Sequence, residues 1–242
     1  SVNETIELDL SLLKKIYVYH MEKDYLVECN TDTKPLIITF GGLFGGIHQP
    51  LFEFKKFLSE NIDCHLLFIK DTKQSWYHKG VIGLGENINE VKNNITDIIN
   101  KINYSMIITI GASMGGYAAL LFGSILPVNG ILAFGPQTFI DKDNRKKYKD
   151  NTWKSKIEDI YCNSDNTYYD LSKLSFQNIN VQIIYGTDDK LDKIHAEIME
   201  KNKNIIVTGE CGGHNVIKKL RDNGMLLKMI NDMILTNNST IK

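Results

Sequence analysis

A serine flanked by glycines carries the strongest chemical signal in the sequence. Ser113 stands in the run Gly111-Ala112-Ser113-Met114-Gly115, which has the pattern G-x-S-x-G. An apolar stretch at residues 106–110 precedes this run, and a stretch with helical spacing follows it. A tight turn between a strand and a helix requires small neighbours and projects the serine above the sheet. The pattern therefore predicts that Ser113 is an activated nucleophile.

The alternative is a glycine-rich turn that binds phosphate and holds a bystander serine. A dinucleotide-binding turn would show G-x-G-x-x-G, and a P-loop would show Gly-Lys followed by Ser or Thr. The turn around Ser113 has neither pattern. The N–H of Met114 opens the helix, where partial positive charge favours an oxyanion. We therefore predict Met114 as one donor of an oxyanion hole.

A serine nucleophile needs a base, and two histidines follow Ser113 in the chain. His195 lies within a helical pattern, which favours a histidine on a helix surface. His214 lies in Glu210-Cys-Gly-Gly-His-Asn215, a flexible loop between the last strand and the final helical segment. In a sheet with a serine elbow the chain order is serine, acid, histidine. We predict His214 as the base.

Three aspartates in one loop are candidates for the acid that orients the base. The loop follows the strand at residues 181–185 and reads Tyr185-Gly-Thr-Asp-Asp189. The Gly-x-x-Asp step at the strand end favours Asp189 over Asp188. Asp192 remains a rival if the loop curls back. Any of the three would also serve as a helix N-cap, for which Asp is a preferred residue.

A second oxyanion donor is expected from the glycine loop at residues 41–46, which follows an apolar strand. Glycines let this backbone approach a substrate closely. We predict Gly42 as the donor, with Leu43 as the alternative. Trp76, Tyr77 and His78 follow the next apolar strand and are predicted to line the substrate pocket. Packing in the core is the competing interpretation for these three residues.

The elements that must position these groups alternate along the chain. Short, continuous apolar runs alternate with longer segments of helical period, which is typical of a parallel sheet with crossover helices. Ahead of them, residues 15–20 and 25–29 read as two strands of an antiparallel hairpin. Strands are predicted at residues 36–40, 66–69, 106–110, 131–134, 181–185 and 205–207, and helices at 51–60, 86–102, 114–126, 191–202 and 216–235. The fold class is α/β, a mostly parallel doubly wound sheet.

One long stretch interrupts this alternation. Residues 137–178 contain no clear strand, a charge-dense run at 141–150 and several aromatic residues. Loops of this length inside a compact domain are uncommon unless they have a function. We predict a partly helical, cap-like insertion over the carboxyl edge of the sheet, within a single domain that spans residues 1–242. A solvated surface excursion is the alternative.

Composition narrows the class of partners. The 242 residues include 28 basic and 29 acidic side chains, a formal net charge of −1, which argues against nucleic acid as a partner. The four cysteines are scattered and form no metal-ligand cluster, so no metal is predicted and a reducing cytoplasm is the simpler location. No signal peptide or apolar run long enough to cross a bilayer is visible.

These motifs together resemble the α/β-hydrolase superfamily over nearly the whole chain. A narrower resemblance is carried by four segments, Gly41-Gly-Leu-Phe-Gly-Gly46, Trp76-Tyr77-His78-Lys79-Gly80, Gly111-Ala-Ser-Met-Gly-Gly-Tyr-Ala-Ala-Leu120 and Phe134-Gly-Pro-Gln-Thr138. They resemble α/β-hydrolase-type proteins of bacterial capsule and surface polysaccharides. That group includes O-acetyltransferases of the meningococcal capsule type and carbohydrate esterases.

The resemblance implies acyl transfer through an acyl-serine, with Ser113, Asp189 and His214 as the triad. It implies acetyl-CoA as co-substrate, no bound cofactor, and a polysaccharide or oligosaccharide as acceptor. Such a protein would be cytoplasmic, with peripheral association to a capsule assembly complex at the inner face of the membrane. The alternatives are an esterase that hydrolyses a carbohydrate ester, and a non-catalytic scaffold with the same fold. Lysines and arginine at residues 142–149 are predicted contacts for the CoA phosphates or for an anionic polymer.

Overall fold

A seven-stranded sheet forms the centre of the molecule. The computed structural model describes residues 23–44 and 52–239. The strand order is β1-β3-β2-β4-β5-β6-β7, and every neighbouring pair is parallel except β1 with β3. The strands are β1 (Tyr25–Glu28), β2 (Lys34–Phe40), β3 (His65–Ile69), β4 (Tyr104–Ala112), β5 (Gly130–Phe134), β6 (Asn180–Gly186) and β7 (Ile205–Glu210).

Helices connect the strands and cover both faces of the sheet. They are α1 (Lys55–Asn61), α2 (Ile88–Ile99), α3 (Met114–Ile125), α4 (Lys142–Lys147), α5 (Lys154–Asn163), α6 (Lys190–Glu197), α7 (Val216–Asp222) and α8 (Met225–Ser239). Helices α2, α3 and α6 contribute to one apolar core, and α1, α7 and α8 to a second core on the opposite face. The central strands are buried on both faces, because each is a continuous apolar run with no polar alternation. The predicted doubly wound sheet is confirmed.

Of the predicted N-terminal hairpin, the structure describes the second strand, β1. It pairs antiparallel with β3, with Tyr25 opposite Ile69 and Glu28 opposite Leu66. The other predicted strand, residues 15–20, lies outside the described residues, so the pairing within the hairpin stays a prediction.

The C-terminal helical segment, predicted as continuous over residues 216–235, is two helices. Helix α7 ends at Asp222 and α8 begins at Met225. Gly224 between them has φ +81°. Glycine readily adopts this left-handed conformation, which ends a helix. The helical spacing of apolar residues in the sequence therefore continues although the helix itself is interrupted at Gly224.

The stretch between β5 and β6 is partly helical, as predicted. It contains α4, α5 and a 3₁₀ turn at Leu171–Lys173. Phe139, Ile157 and Phe176 are buried in the same core as α2 and α3. This stretch is therefore packed onto the sheet rather than loosely solvated. Its designation as a cap within one domain stays a prediction.

None of the helices in residues 23–44 and 52–239 combines the length and apolar character needed to span a membrane.

Candidate active site

Ser113 occupies a strained turn between β4 and α3. Its backbone has φ 57° and ψ −122°, outside the helical and strand regions. A side chain on Gly111 would place its Cβ 2.0 Å from the carbonyl oxygen of Gly115, and one on Gly115 would come 2.2 Å from the oxygen of Phe40. The turn closes because both positions are glycine. The small neighbours therefore allow a tight turn from which the Ser113 side chain projects, which is the geometry of a nucleophile elbow.

A chain of two hydrogen bonds runs from Ser113 to a buried carboxylate. The Oγ of Ser113 lies 3.1 Å from Nε2 of His214, and Nδ1 of His214 lies 2.6 Å from Oδ2 of Asp192. The Nδ1–H donates to Asp192, so Nε2 is left to accept the serine proton. Asp192 is buried while the His214 side chain is 46% exposed. In such an arrangement the imidazole can take the proton of the serine hydroxyl.

The structure corrects the choice among the three aspartates, because Asp192 and not Asp189 contacts His214. The Asp189 carboxylate accepts hydrogen bonds from the N–H groups of Leu191 and Asp192 at 3.0 and 2.9 Å. It is the N-cap of α6, where the first N–H groups have no helical partner. Asp192 sits in the first turn of the same helix, and only that position reaches the imidazole.

The loop that carries His214 is held against the end of β6. The N–H of Asp188 donates to the oxygen of Gly212 at 2.9 Å, so Asp188 contributes through its backbone. A Cβ on Gly186 would lie 2.1 Å from the oxygen of Gly213, which shows how closely the two loops approach. The hydrogen bond to Asp192 raises the pKa of His214 above its ordinary value, although burial opposes the shift. His214 is therefore a stronger base than a free imidazole.

The structure describes residues 41–44 of the predicted oxyanion loop, and one of the predicted donors there is occupied. The N–H of Gly42 donates to Oε2 of Glu53 at 2.8 Å. Burial raises the pKa of the Glu53 carboxyl, and the hydrogen bond from Gly42 partly offsets this. Within the described residues the N–H groups of Met114 and Leu43 have no hydrogen-bond partner. The N–H of Gly42 is therefore already engaged, and Leu43, the alternative donor, stays a prediction.

Trp76, Tyr77 and His78 do not line the cleft at Ser113. Trp76 and Tyr77 are fully buried, and His78 is nearly so. The hydroxyl of Tyr77 donates to the carbonyl of Gly41 at 2.9 Å, so it fixes the loop that precedes Leu43. Core packing is the correct interpretation for Trp76 and Tyr77, which belong to the apolar core that contains α2 and α3.

His78 belongs to a separate buried network. Its Nε2 lies 2.8 Å from the hydroxyl of Tyr117, and its Nδ1 lies 3.3 Å from the hydroxyl of Ser164. Burial lowers the pKa of His78 to about 4. The imidazole is therefore neutral at physiological pH and joins α3 to the end of α5.

His195 is buried, so its placement on a helix surface is wrong. Its Nε2 donates to Oδ2 of Asp150 at 2.9 Å, and its Nδ1 accepts from the N–H of Thr138 at 2.9 Å. Burial alone would raise the pKa of Asp150, but hydrogen bonds from His195 and Thr152 outweigh it and lower the pKa to about 2. This hydrogen-bonded pair ties the stretch after β5 to α6, the helix that carries Asp192.

Solved structures with known activities share this architecture. A capsule O-acetyltransferase of Neisseria meningitidis serogroup A matches with a TM-score of 0.59 at 22% identity, over 84% of this chain and 90% of that one. A histidine-to-alanine variant of that enzyme in complex with CoA matches with a TM-score of 0.58 at 20% identity, with the same coverage. An α/β-hydrolase enzyme from a lagoon-sediment metagenome matches with a TM-score of 0.57 at 15% identity, over 88% and 95%. The chain has the α/β-hydrolase fold.

A butyrate-bound esterase from Thermogutta terrifontis shares the same fold. It matches with a TM-score of 0.58 at 12% identity, over 88% of each chain. No protein-family model and no curated protein sequence matches this chain. At these identities the likeness establishes the α/β-hydrolase fold, and the chemistry must be argued from the site itself.

Two cavities are lined by residues of the stretch between β5 and β6, and one of them includes His214. The first, of about 460 Å³, is bordered by His214, Asp192, Gln137 and Trp153. The second, of about 580 Å³, lies between α4 and α5 and is lined by the basic residues Lys142, Arg145, Lys146 and Lys154 together with Asp150 and Glu158. The segment from Asp150 to Trp153 separates the two cavities.

Asp189, Asp192 and His214 are the group of potential metal ligands in the described part of the chain, with atoms within 4.8 Å of one another. The carboxylate of Asp189 already accepts two backbone hydrogen bonds, and the carboxylate of Asp192 accepts one from Nδ1–H of His214. A cation would have to displace these bonds. The expectation that no metal is bound stays a prediction.

Gln137 is a site residue that the sequence argument does not assign. Its amide nitrogen donates to Oγ of Ser113 at 3.1 Å, and its side chain is nearly buried. The position follows β5, so it lies at the carboxyl edge of the sheet beside β4. The signal was available, because Gln137 belongs to the Phe134–Thr138 segment that carried the narrower resemblance. Glu53 offered no local signal, since its bond to Gly42 joins residues far apart in the chain.

Proposed function

We propose that the protein transfers an acetyl group from acetyl-CoA to a hydroxyl of a bacterial capsular or surface polysaccharide, through an acyl-enzyme on Ser113. The observation that carries this proposal is the hydrogen-bonded chain from Ser113 through His214 to Asp192 on a nucleophile elbow. The shared fold of a capsule O-acetyltransferase, one structure of which contains CoA, supports the choice of donor.

In the first half-reaction His214 takes the proton of Ser113 while Oγ attacks the thioester carbonyl. The N–H groups of Met114 and Leu43 receive the negative charge that forms on the carbonyl oxygen. The carbon–sulfur bond then breaks, and His214 returns its proton to the CoA sulfur. Asp192 stabilises the transient imidazolium because its carboxylate stays charged and accepts a hydrogen bond from Nδ1–H throughout.

In the second half-reaction an acceptor hydroxyl takes the place of the thiol. His214 removes its proton, the oxygen attacks the acetyl carbon, and the bond to Ser113 Oγ breaks as His214 reprotonates the serine. Gln137 is placed to hold the incoming hydroxyl, because its amide already lies 3.1 Å from the serine oxygen. The acetyl ester of the acceptor is released and the free enzyme is restored.

The basic cavity between α4 and α5 is the proposed site for the phosphates of CoA. Arg145 is tied to the oxygen of Thr152 and to Asp150, so Lys142 and Lys146 are the residues to test. Lys142→Gln and Lys146→Gln together should raise the KM for acetyl-CoA more than they lower kcat, because remote charge contacts bind substrate and transition state alike. Lys193→Gln, at an exposed position on α6, is the matched control.

Ester hydrolysis is the second candidate, and the exposure of His214 favours it. An imidazole that is 46% exposed can activate water as readily as an acceptor hydroxyl. The deciding experiment follows thiol release from acetyl-CoA with and without polysaccharide acceptors, beside deacetylation of acetylated sugars. Acceptor-stimulated thiol release supports the transferase. Rapid deacetylation without such stimulation would replace it with the esterase, and failure of Ser113 to react with a fluorophosphonate probe would favour a scaffold.

A further inference from the structure

Trp153 is a large aromatic side chain held in the open at the edge of the catalytic cavity. It is 48% exposed and lines the cavity that contains His214 and Gln137. Its backbone has φ 53° and ψ 34°, a left-handed conformation that is unfavourable for a bulky residue. Unfavourable backbone angles persist where surrounding contacts impose them, and they concentrate at functional sites.

Hydrogen bonds to Thr152 fix the turn that precedes Trp153. The Oδ1 of buried Asp150 accepts from the N–H and the hydroxyl of Thr152 at 2.9 and 2.6 Å. Arg145 donates to the oxygen of Thr152 at 2.7 Å, and His195 donates to Asp150. The backbone before Trp153 is therefore fixed while the indole itself remains uncovered. A fixed backbone makes the exposed ring a preorganised contact surface.

The residues around Trp153 provide both an apolar surface and hydrogen-bonding groups, as a sugar ring requires. Trp153 and Leu191 supply apolar surface, and Gln137, Thr152 and Asp189 supply amide, hydroxyl and carboxylate groups around it. A pyranose ring has a C–H face that packs on an aromatic ring and a rim of hydroxyls that form hydrogen bonds. Cavities that combine apolar walls with a few placed polar groups bind small ligands.

The cavity at Trp153 and the cavity between α4 and α5 differ in the charge of the side chains that line them. Asp189 and Asp192 place carboxylates along the Trp153 side, whereas the cavity between α4 and α5 holds four basic side chains against the two carboxylates of Asp150 and Glu158. The phosphates of CoA would be repelled on the Trp153 side and attracted on the other. The indole therefore suits an uncharged ligand better than the adenine end of CoA.

We infer that Trp153 is the stacking platform of the acceptor subsite and binds a neutral sugar ring, with its hydroxyl directed to Ser113 past Gln137. This inference deepens the proposed function, on which it rests for calling the sugar an acceptor. Binding itself requires no turnover, so it can be tested apart from catalysis.

Fluorescence can isolate Trp153, because the chain has two tryptophans and the other, Trp76, is fully buried. Acrylamide should quench Trp153 selectively in the Ser113→Ala variant. We expect a neutral trisaccharide, from a set of maltotriose, chitotriose and mannotriose, to protect Trp153 saturably, and CoA to give no protection. Trp153→Phe removes the reporter and identifies the signal.

Kinetics supply the second arm. Trp153→Ala should raise the acceptor KM about tenfold, the size of an aromatic stacking contact, with little change in the KM for acetyl-CoA. Trp153→Phe should retain most of the affinity, and Ile206→Ala, an exposed apolar residue on β7, should change nothing. Protection by CoA alone, protection by none of the trisaccharides, or an unchanged acceptor KM in Trp153→Ala would overturn the inference. If a trisaccharide protected Trp153 but no acetyl transfer could be measured, the proposed function would be wrong and the sugar-binding role of Trp153 would remain supported.

Discussion

Asp192 contacts Nδ1 of His214 at 2.6 Å from the first turn of α6, three residues after the aspartate that caps that helix. The helix therefore uses two carboxylates for two tasks. Asp189 satisfies backbone N–H groups, and Asp192 sets the tautomer of the imidazole. Their separation into a cap and an orienting acid makes the two roles distinguishable by substitution.

Asp192→Asn should lower kcat by about 10²-fold or more, because an amide in contact with Nδ1 does not hold the tautomer that leaves Nε2 free to accept the Ser113 proton. Asp189→Asn is the matched control, since asparagine caps a helix as well as aspartate does. Its activity should stay near that of the wild type. Steady-state rates with acetyl-CoA or an activated acetyl ester measure both. Loss of activity in Asp189→Asn, with Asp192→Asn active, would restore the sequence-based choice.

The pH dependence of kcat/KM should report His214. Only the neutral imidazole can accept a proton, so activity rises as pH increases through the pKa of His214. Because Asp192 raises that pKa above 6.5, the acid limb should lie above 6.5 in the wild type. In Asp192→Asn the limb should move to lower pH, measured on the residual activity. If the acid limb of Asp192→Asn stayed at the wild-type pH, the group that titrates would not be His214 under the influence of Asp192.

Glu53 should matter for catalysis although it is far from Ser113 in the sequence. Glu53→Ala frees the N–H of Gly42 and removes the anchor of the loop that carries Leu43. We expect kcat to fall about tenfold or more with little change in KM, since small displacements of groups that stabilise a transition state are costly. Glu53→Gln keeps an acceptor for Gly42 and should retain most activity. Equal activity of Glu53→Ala and the wild type would contradict the loop's proposed role.

The buried pair of His195 and Asp150 should be a stability determinant. His195→Ala removes one hydrogen bond to the buried carboxylate of Asp150, which keeps Arg145 and Thr152, and should lower the free energy of unfolding by about 1.5–3 kcal/mol. Lys193→Ala, exposed on the same helix, should change it by less than about 0.5 kcal/mol. Urea denaturation followed by circular dichroism measures both. A His195→Ala variant as stable as the wild type would show that the pair does not anchor the stretch after β5.

The sheet could be predicted because its strands are continuous apolar runs that glycines and helical segments separate. The strand ends at Phe40, Phe134 and Glu210 bring the oxyanion loop, Gln137 and the His214 loop to one edge, which follows from parallel topology. The elbow could be predicted for the same local reason, since the glycines around Ser113 are adjacent in the sequence.

What sequence reasoning assigned incorrectly depended on side-chain direction or on distant contacts. Asp189 and Asp192 differ by less than one helical turn, and only the demand of the helix terminus for a cap decides between them. The spacing Asp-x-x-Asp before a helix is itself a sign of an N-cap with an acidic third residue, so this error was avoidable. The burial of Tyr77 could not be predicted from the local sequence, because it depends on packing against Phe40 of β2 and Phe122 of α3.

The most direct test of the proposed chemistry is to look for the acyl-enzyme on Ser113. Wild-type protein should be mixed with acetyl-CoA in the absence of acceptor, quenched in acid, and analysed by intact-protein and peptide mass spectrometry. We expect one added acetyl group on the peptide that contains Ser113. Ser113→Ala should show none, and His214→Ala should show far less. Acetylation absent from Ser113 in the wild type, or turnover of acetyl-CoA that persists in Ser113→Ala, would contradict the account.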